Sequence, residues 1–372
     1  MNETRTVKTQ EGQLMHKKSS DSSAELVTFL RDIPKTEIHL HIEGLVTSDS
    51  IWALIQKHKL DLGISSKKEL EKRFKVRSLT EFIDLFINII QACFLEDADL
   101  AYLVDDAENY LTDNNIRYAE IFVAPTKLLQ NGIDFGQLID RLDKGAKRIA
   151  KKGITVRYIV DVSRGFGVEN AMRNLELTLE HPKDSVIGLG LGGAEQAGPA
   201  REYQPVFNRA REEGYRVVAH AGEDVGPESI WDTVKLLKVD RIGHGTSAIL
   251  DKGLMRYIRD NRIPLEVCPT SNLYTRKYST TLKDHPIRPF FDFGIFVTVN
   301  TDDPTLFGVN LYEEYERLLE AEVFSLEEIL QIIRNGMYAT FLSDKEKDKL
   351  WAEAEKFIKA SPYAQSLPKI SG

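Results

Sequence analysis

A chain of 372 residues with 42 % hydrophobic and 28 % charged residues has the composition of a soluble globular protein and the length for a large core. Its net charge of −8 leaves no electrostatic footprint for nucleic acid or an anionic membrane. The two cysteines, Cys93 and Cys268, stand far apart in apolar surroundings, which argues against a disulfide framework and for a reducing, cytoplasmic setting.

Residues 1–24 are polar and mixed in charge, so a disordered tail is expected there rather than a signal peptide or a membrane anchor. A single catalytic domain is expected over 25–362, with 363–372 as a C-terminal tail. Within it, short apolar runs alternate with amphipathic stretches. The candidate strands are 36–42, 116–124, 154–162, 185–192, 215–221, 241–245, 263–269 and 295–301, rich in Val and Ile as strands covered on both faces should be. Helical patterns between them, such as 135–153 and 205–214, end in glycine. Eight strands alternating with helices predict an α/β fold closed as a (β/α)8 TIM barrel, of the kind that metal-dependent hydrolases use, with a doubly wound open sheet as the competing arrangement. The first connection is the longest. Residues 45–115 read as a helical insertion after strand one that caps the barrel mouth, its segment 78–94 packing one face on the barrel and closing the site with the other. Trp52, Phe82, Phe86 and Phe94 are expected in the core, and 343–362 as a final amphipathic helix outside.

The first strand carries EIHLHIEG (37–44). Side chains two apart in a strand share a side, so His39 and His41 project together near the C-terminal end of the strand, while Leu40 and Ile42 pack outward. Two imidazoles at that spacing suit a metal ion. Glu37, of the same parity, points into the barrel, either behind the ligands or near the floor. Further candidate ligands end later strands: His220 and Glu223 in HAGE, His244 in RIGHG, Asp302 and Asp303 in NTDDP. Each alone has a structural explanation as a core histidine, a turn residue or a helix cap. Together, nitrogen and oxygen donors at one barrel rim make a zinc-type ligand set with room for a water. The strand-four segment GLGLGG offers no bridging carboxylate, so one metal is expected. A single cation turns a water into a nucleophile near neutral pH, and a protonated Glu223 in a dry cavity donates to the substrate.

The motifs HLHIEG, HAGE, RIGHGT, CPTSN and NTDDPTLFG, in this order over about residues 33–345, resemble the adenosine/adenine deaminase family of the amidohydrolase superfamily. The resemblance implies one Zn2+ per chain held by His39, His41, His220 and Asp302. Glu223, His244 and Asp302 are its implied catalytic residues: Glu223 protonates purine N1, and His244 orients and helps activate the attacking water. Asp303 would hydrogen-bond N7, the Gly193 backbone would meet N3, and Glu43 would face the sugar. The reaction implied is hydrolytic deamination of a small-molecule purine nucleoside, the 6-amino group leaving as ammonia. Adenosine to inosine, in purine salvage, is the default. The GLGLGGAE segment, with HAGE, GHGTSA and EVCPTSN, is locally similar to bacterial aminodeoxyfutalosine deaminases of menaquinone biosynthesis, and free adenine is the third substrate. The carboxylate of aminodeoxyfutalosine would want a basic partner, for which Arg77, Arg164 and Arg276 are candidates. The reading from a different class is a barrel that binds a nucleoside without turning it over.

Overall fold

The apolar runs become eight parallel strands that follow one another around a single sheet in sequence order. They are β1 (Lys35–His41), β2 (Ile116–Val123), β3 (Thr155–Ser163), β4 (Val186–Gly192), β5 (Arg216–Ala221), β6 (Arg241–His244), β7 (Leu265–Val267) and β8 (Val297–Val299). The structure is a computed structural model that describes residues 24–76 and 79–368. The expectation for the N-terminal tail thus falls outside the described residues except at Ala24, where a helix over 24–32 begins.

The sheet closes on itself just past β8. Leu40 bridges to Asp302 in parallel, with the His41 amide donating to the Asp302 carbonyl at 2.9 Å and the Asp302 amide to the His39 carbonyl at 3.2 Å. Barrel closure therefore brings the strand-one histidines and Asp302 into register through main-chain hydrogen bonds. Every βα return is filled by a helix, so the strands are buried on their outer face too, which is why they read as continuous apolar runs.

The barrel interior is unusually polar. Its apolar part is a small cluster of Phe122, Ile159 and Val218. Below the site, Arg241 on β6 is buried between Glu120 of β2 and Glu266 of β7, pairing with both. Arg241 also donates to the Ala339 carbonyl at 3.0 Å and lies 3.7 Å over the Phe341 ring.

The insertion after β1 is helical as expected. Its segment Leu79–Asp84 continues into a π-turn, Leu85–Ile90, a local widening often found at functional sites. One face is core, with Leu85, Ile89 and Ile90 buried. The other face carries Phe82 and Phe86 to a cavity at the barrel mouth, so these two are cavity wall as well as core, a correction to the expectation from spacing. Trp52 and Phe94 pack in the core as expected.

The final helix, Asp344–Lys359, packs outside and buries Trp351, Ala354 and Ile358. Phe29 stacks on Phe357 at 5.8 Å and meets Tyr363 at 4.6 Å, so the packed body reaches past residue 362. Among the described residues no helix is long and apolar enough to cross a membrane.

Candidate active site

The ends of β1, β5 and β8 deliver four donor groups to one point. One ligand atom each from His39, His41, His220 and Asp302 lies within 4.8 Å of the others, and all four residues are buried. The protonation pattern shows what they await. His39 Nδ1 is 2.8 Å from Glu266 Oε2 and His220 Nδ1 is 3.2 Å from the Leu191 carbonyl. Those oxygens accept, so both Nδ1 atoms carry hydrogen, and in the neutral imidazole each Nε2 then presents its lone pair. His39 Nε2 has no hydrogen-bond partner. His220 Nε2 faces His41 Nε2 at 3.2 Å, and Asp302 Oδ1 lies 3.4 and 3.3 Å from the Nε2 atoms of His39 and His41. Converging ring nitrogens and a carboxylate are the donor set of a cation, and three nitrogens with one oxygen leave a coordination position open. The residues fit a zinc-type ion.

The backbone is bent to make this possible. Asp302 has φ of 67° and His244 of 60°, a left-handed conformation that side-chain-bearing residues adopt at a cost of order 1–3 kcal/mol and keep where the surroundings enforce it. Glu37 does part of that enforcing. It accepts from the Thr301 amide at 2.9 Å, the Thr301 hydroxyl at 2.6 Å and the Tyr110 hydroxyl at 2.9 Å, fixing the residue before Asp302. Glycines supply clearance: a Cβ on Gly243 would lie 2.7 Å from His39 Cε1, and one on Gly44 only 2.1 Å from Asp303 Oδ1.

Around the cradle stand buried titratable groups. Burial, with the charges of Asp302, Glu195 and Asp224, pushes the Glu223 carboxyl well above the ordinary carboxylate range, so at neutral pH it is an acid with a proton to give. Burial holds His244 down to about 3, so it is neutral. The 3.5 Å approach of His244 Nε2 to Glu223 Oε2 is accordingly not an ion pair. Asn272 Nδ2 meets His244 Nδ1 at 3.1 Å, which leaves Nε2–H directed toward Glu223 and Asp302. The second oxygen of Asp302 accepts from Ser271 Oγ at 2.8 Å. Burial and the Asp302 charge raise Asp303 well above the ordinary range as well, and its Oδ1 has no partner.

The cavity above has a volume of about 310 Å3 and is lined by His41, His220, Glu223, His244, Asp302 and Asp303 among others. Gly193 lines it too, at φ of 79°, where a Cβ would strike Ser163 Oγ at 2.6 Å. Glu43 is placed differently from the expectation. Its side chain is fully buried and does not reach the cavity wall; Oε1 accepts from the Ala124 amide at 3.1 Å and from Gln91 Nε2 at 3.2 Å. Glu43 therefore supports Gln91 and Ala124, which do line the cavity.

Of the basic residues singled out, Arg164 is buried and spends its two Nη groups on the carbonyls of Gly198 (2.6 Å) and His220 (2.7 Å). Arg276 is exposed beyond the wall residue Thr275, and Arg77 lies outside the described residues. The cation on the wall is Lys127, at the start of the helix after β2, where nothing in the sequence marked it. Sequence reasoning also missed Glu195. This buried carboxylate accepts from the amides of Gly222, Glu223 and Asp224 at 2.8, 2.7 and 3.1 Å and from Ser229 Oγ. It is the clamp that sets the loop carrying Glu223, and its one visible signal was an acid following the Gly-Gly turn.

The adenosine deaminase family model matches residues 34–357. The aminodeoxyfutalosine deaminase of Streptomyces avermitilis is 31 % identical over 348 residues, covering 92 % of this chain and 96 % of that protein. The adenine deaminase of Cupriavidus metallidurans is 32 % identical over 340 residues, covering 91 % and 95 %. An amidohydrolase from Burkholderia ambifaria, solved with bound zinc, superposes with a TM-score of 0.80 at 26 % identity, covering 89 % of this chain and 92 % of that one. The matches run along nearly the whole chain, which belongs to the adenosine deaminase family, hydrolases of C–N bonds in cyclic amidines.

Proposed function

We propose that this chain is a zinc-dependent hydrolase that removes the 6-amino group of an adenine nucleoside enlarged beyond its sugar, with aminodeoxyfutalosine as the substrate. The observation that carries the reading is an aromatic row on the cavity wall. Phe86, Phe82, Phe307 and Tyr274 follow one another with ring centroids 5.6, 5.4 and 5.0 Å apart, and all four line the cavity. A fused two-ring base covers one or two of those faces. The rest is wall for an apolar group attached to the base through its sugar, and Lys127 is the single lysine or arginine among the described lining residues, a partner for a carboxylate on that group. The name carried by the Streptomyces relative supports the same choice. Adenosine, the default from motifs alone, carries no apolar group or carboxylate to meet the outer rings and Lys127.

A divalent cation in the cradle supplies a nucleophile near neutral pH by acidifying a water. The chain does the rest. Asp302, through its oxygen near Ser271, takes a proton from the attacking water, and the His244 Nε2–H holds the oxygen in line. Glu223 gives its proton to N1, which makes C6 electrophilic. Asp303 donates to N7, the Gly193 amide to N3, and the apolar wall excludes bulk water.

The test is ammonia release from the zinc-loaded protein with aminodeoxyfutalosine, adenine and adenosine at equal concentration. A kcat/KM about a hundredfold higher for aminodeoxyfutalosine, roughly 2.7 kcal/mol of transition-state preference, is expected. Faster turnover of adenine would assign the wall to packing and overturn the choice of substrate. A separate expectation concerns Asp303. Gly44→Ala drives a methyl into its carboxyl, so KM rises and kcat falls, together costing at least about tenfold in kcat/KM, while zinc content, read by elemental analysis, stays at one per chain. Unchanged kinetics would remove Asp303 from substrate binding.

A further inference from the structure

The reaction leaves a nitrogen to be dealt with, and none of the groups used so far receives it. One buried carboxylate on the cavity wall is also unused. Asp161, at the end of β3, lines the cavity and is 3 % exposed, and its Oδ1 has no hydrogen-bond partner. A buried carboxylate oxygen without a donor is costly to maintain unless a ligand supplies one.

The neighbouring strand is shaped around it. Asp161 pairs with Gly190 in the β3–β4 register. A Cβ on Gly190 would lie 2.8 Å from Asp161 Oδ1, and one on Gly192 would lie 2.3 Å from Oδ2. The glycines of GLGLGG, which read as a missing metal ligand, are thus the clearance for a carboxylate brought in from the strand before. Its place is at the metal end of the cavity. A Cβ on Gly190 would also lie 3.0 Å from the Phe122 ring, and that ring stacks on His41 with centroids 5.0 Å apart.

We propose that Asp161 is a catalytic residue that accepts an N–H hydrogen bond from the exocyclic amine of the substrate as that amine becomes ammonia. The inference rests on the reading of the site as a 6-aminopurine deaminase. The water oxygen bonds to C6 while Glu223 protonates N1, and the water's first proton passes to Asp302. Asp302 then passes that proton to the amine nitrogen, and the C6–N bond breaks with its electron pair going to nitrogen, which departs as ammonia. The remaining O–H proton returns to Glu223 as the 6-oxo group forms. Asp161 neither gains nor loses a proton. It aligns the amine and stabilises the positive charge that grows on nitrogen as it is protonated, an interaction stronger in the transition state than before it.

The experiment compares leaving groups in Asp161→Asn, which keeps the shape but replaces an acceptor oxygen by a donor. Each protein is assayed with the 6-amino substrate that the wild type turns over fastest and with the 6-chloropurine counterpart, whose leaving chloride has no N–H. A fall in kcat of about a hundredfold on the amine and less than about threefold on the chloride is expected, the scale of a lost charge-assisted hydrogen bond. Zinc content and the dissociation constant of the 6-oxo product, measured by calorimetry, should stay at wild-type values. Equal losses on both substrates, or no loss on either, overturn the assignment. Gly192→Ala, which displaces the same carboxylate from the other side, gives the same amine-selective pattern and decides the matter if the asparagine variant does not fold. Failure of the wild type on every 6-aminopurine would instead overturn the deaminase reading, and so is distinguishable.

Discussion

Glu223→Gln lowers kcat by about 10²–10⁴-fold, leaves KM within a few-fold of wild type and keeps one zinc per chain. The Glu223 backbone is held by Glu195 through its amide at 2.7 Å, a contact that the substitution leaves alone, so the new amide sits where the carboxyl sat. Its side chain keeps 20 % of its surface open, toward the cavity, and burial with the carboxylates around it keeps its acid protonated well above the ordinary range. Glutamine can still donate a hydrogen bond to N1 but has no proton to transfer. Ground-state binding therefore survives and the transition state is lost, the split between KM and kcat that marks an acid in the chemical step. The pH dependence has a defined sign. Because the protonated form is active, wild-type kcat/KM declines on the alkaline side as Glu223 ionises, and that limb disappears in the variant's residual activity. A protein that bound nucleosides without turning them over would show no change in affinity and no turnover in either form, so equal behaviour of the two proteins would remove the enzyme reading.

Much of this was legible before any coordinate. The strand ends fell within one residue of the sequence expectation for all but β7 and β8, each two residues shorter at either end, because parallel strands covered on both faces have no polar alternation to blur them. The candidate ligands were legible because polar groups at the ends of apolar runs have few structural uses, and His39, His41, His220 and Asp302 do meet at one point. Glu43 was misplaced by its neighbours. Its position in HLHIEG suggests a cavity residue, but the chain turns at Glu43–Leu45 and sends the side chain behind Gln91. The roles of Asp161 and Glu195 were not legible for another reason. Their roles depend on which amides and glycines the next strands bring up, a contact made across more than one element that no local pattern records. Phe82 and Phe86 illustrate the same limit: helical spacing identifies a buried face but not whether the face meets a core or a substrate.

Arg241→Met destabilises the fold by about 3–5 kcal/mol, the cost of breaking a buried ion pair from one side, and weakens zinc binding by about 10–100-fold. Both effects come from the same guanidinium. Arg241 is buried at the barrel floor, pairing with Glu120 on one side and Glu266 on the other, while its face rests on Phe341. Burial alone would raise Glu266, but Arg241 and then His39 hold it below the ordinary carboxylate range. That charged carboxylate fixes the hydrogen on His39 Nδ1 and so keeps the Nε2 lone pair on the cradle. Methionine fills most of the volume and leaves two carboxylates buried without their cation. Glu266 then takes up a proton more readily, and its grip on His39 loosens. The sign with pH follows. In the wild type a depressed Glu266 contributes stability that is present above its unfolded value and lost as pH falls. In the variant the same group is a liability when ionised, so the gap between the two proteins is widest at neutral pH and narrows in acid. Urea unfolding at neutral and mildly acidic pH, with a zinc-chelator competition on the same samples, measures all three quantities. Equal unfolding midpoints at neutral pH would show that the polar floor of the barrel contributes nothing to its stability, and an unchanged zinc affinity would sever Arg241 from the site above it.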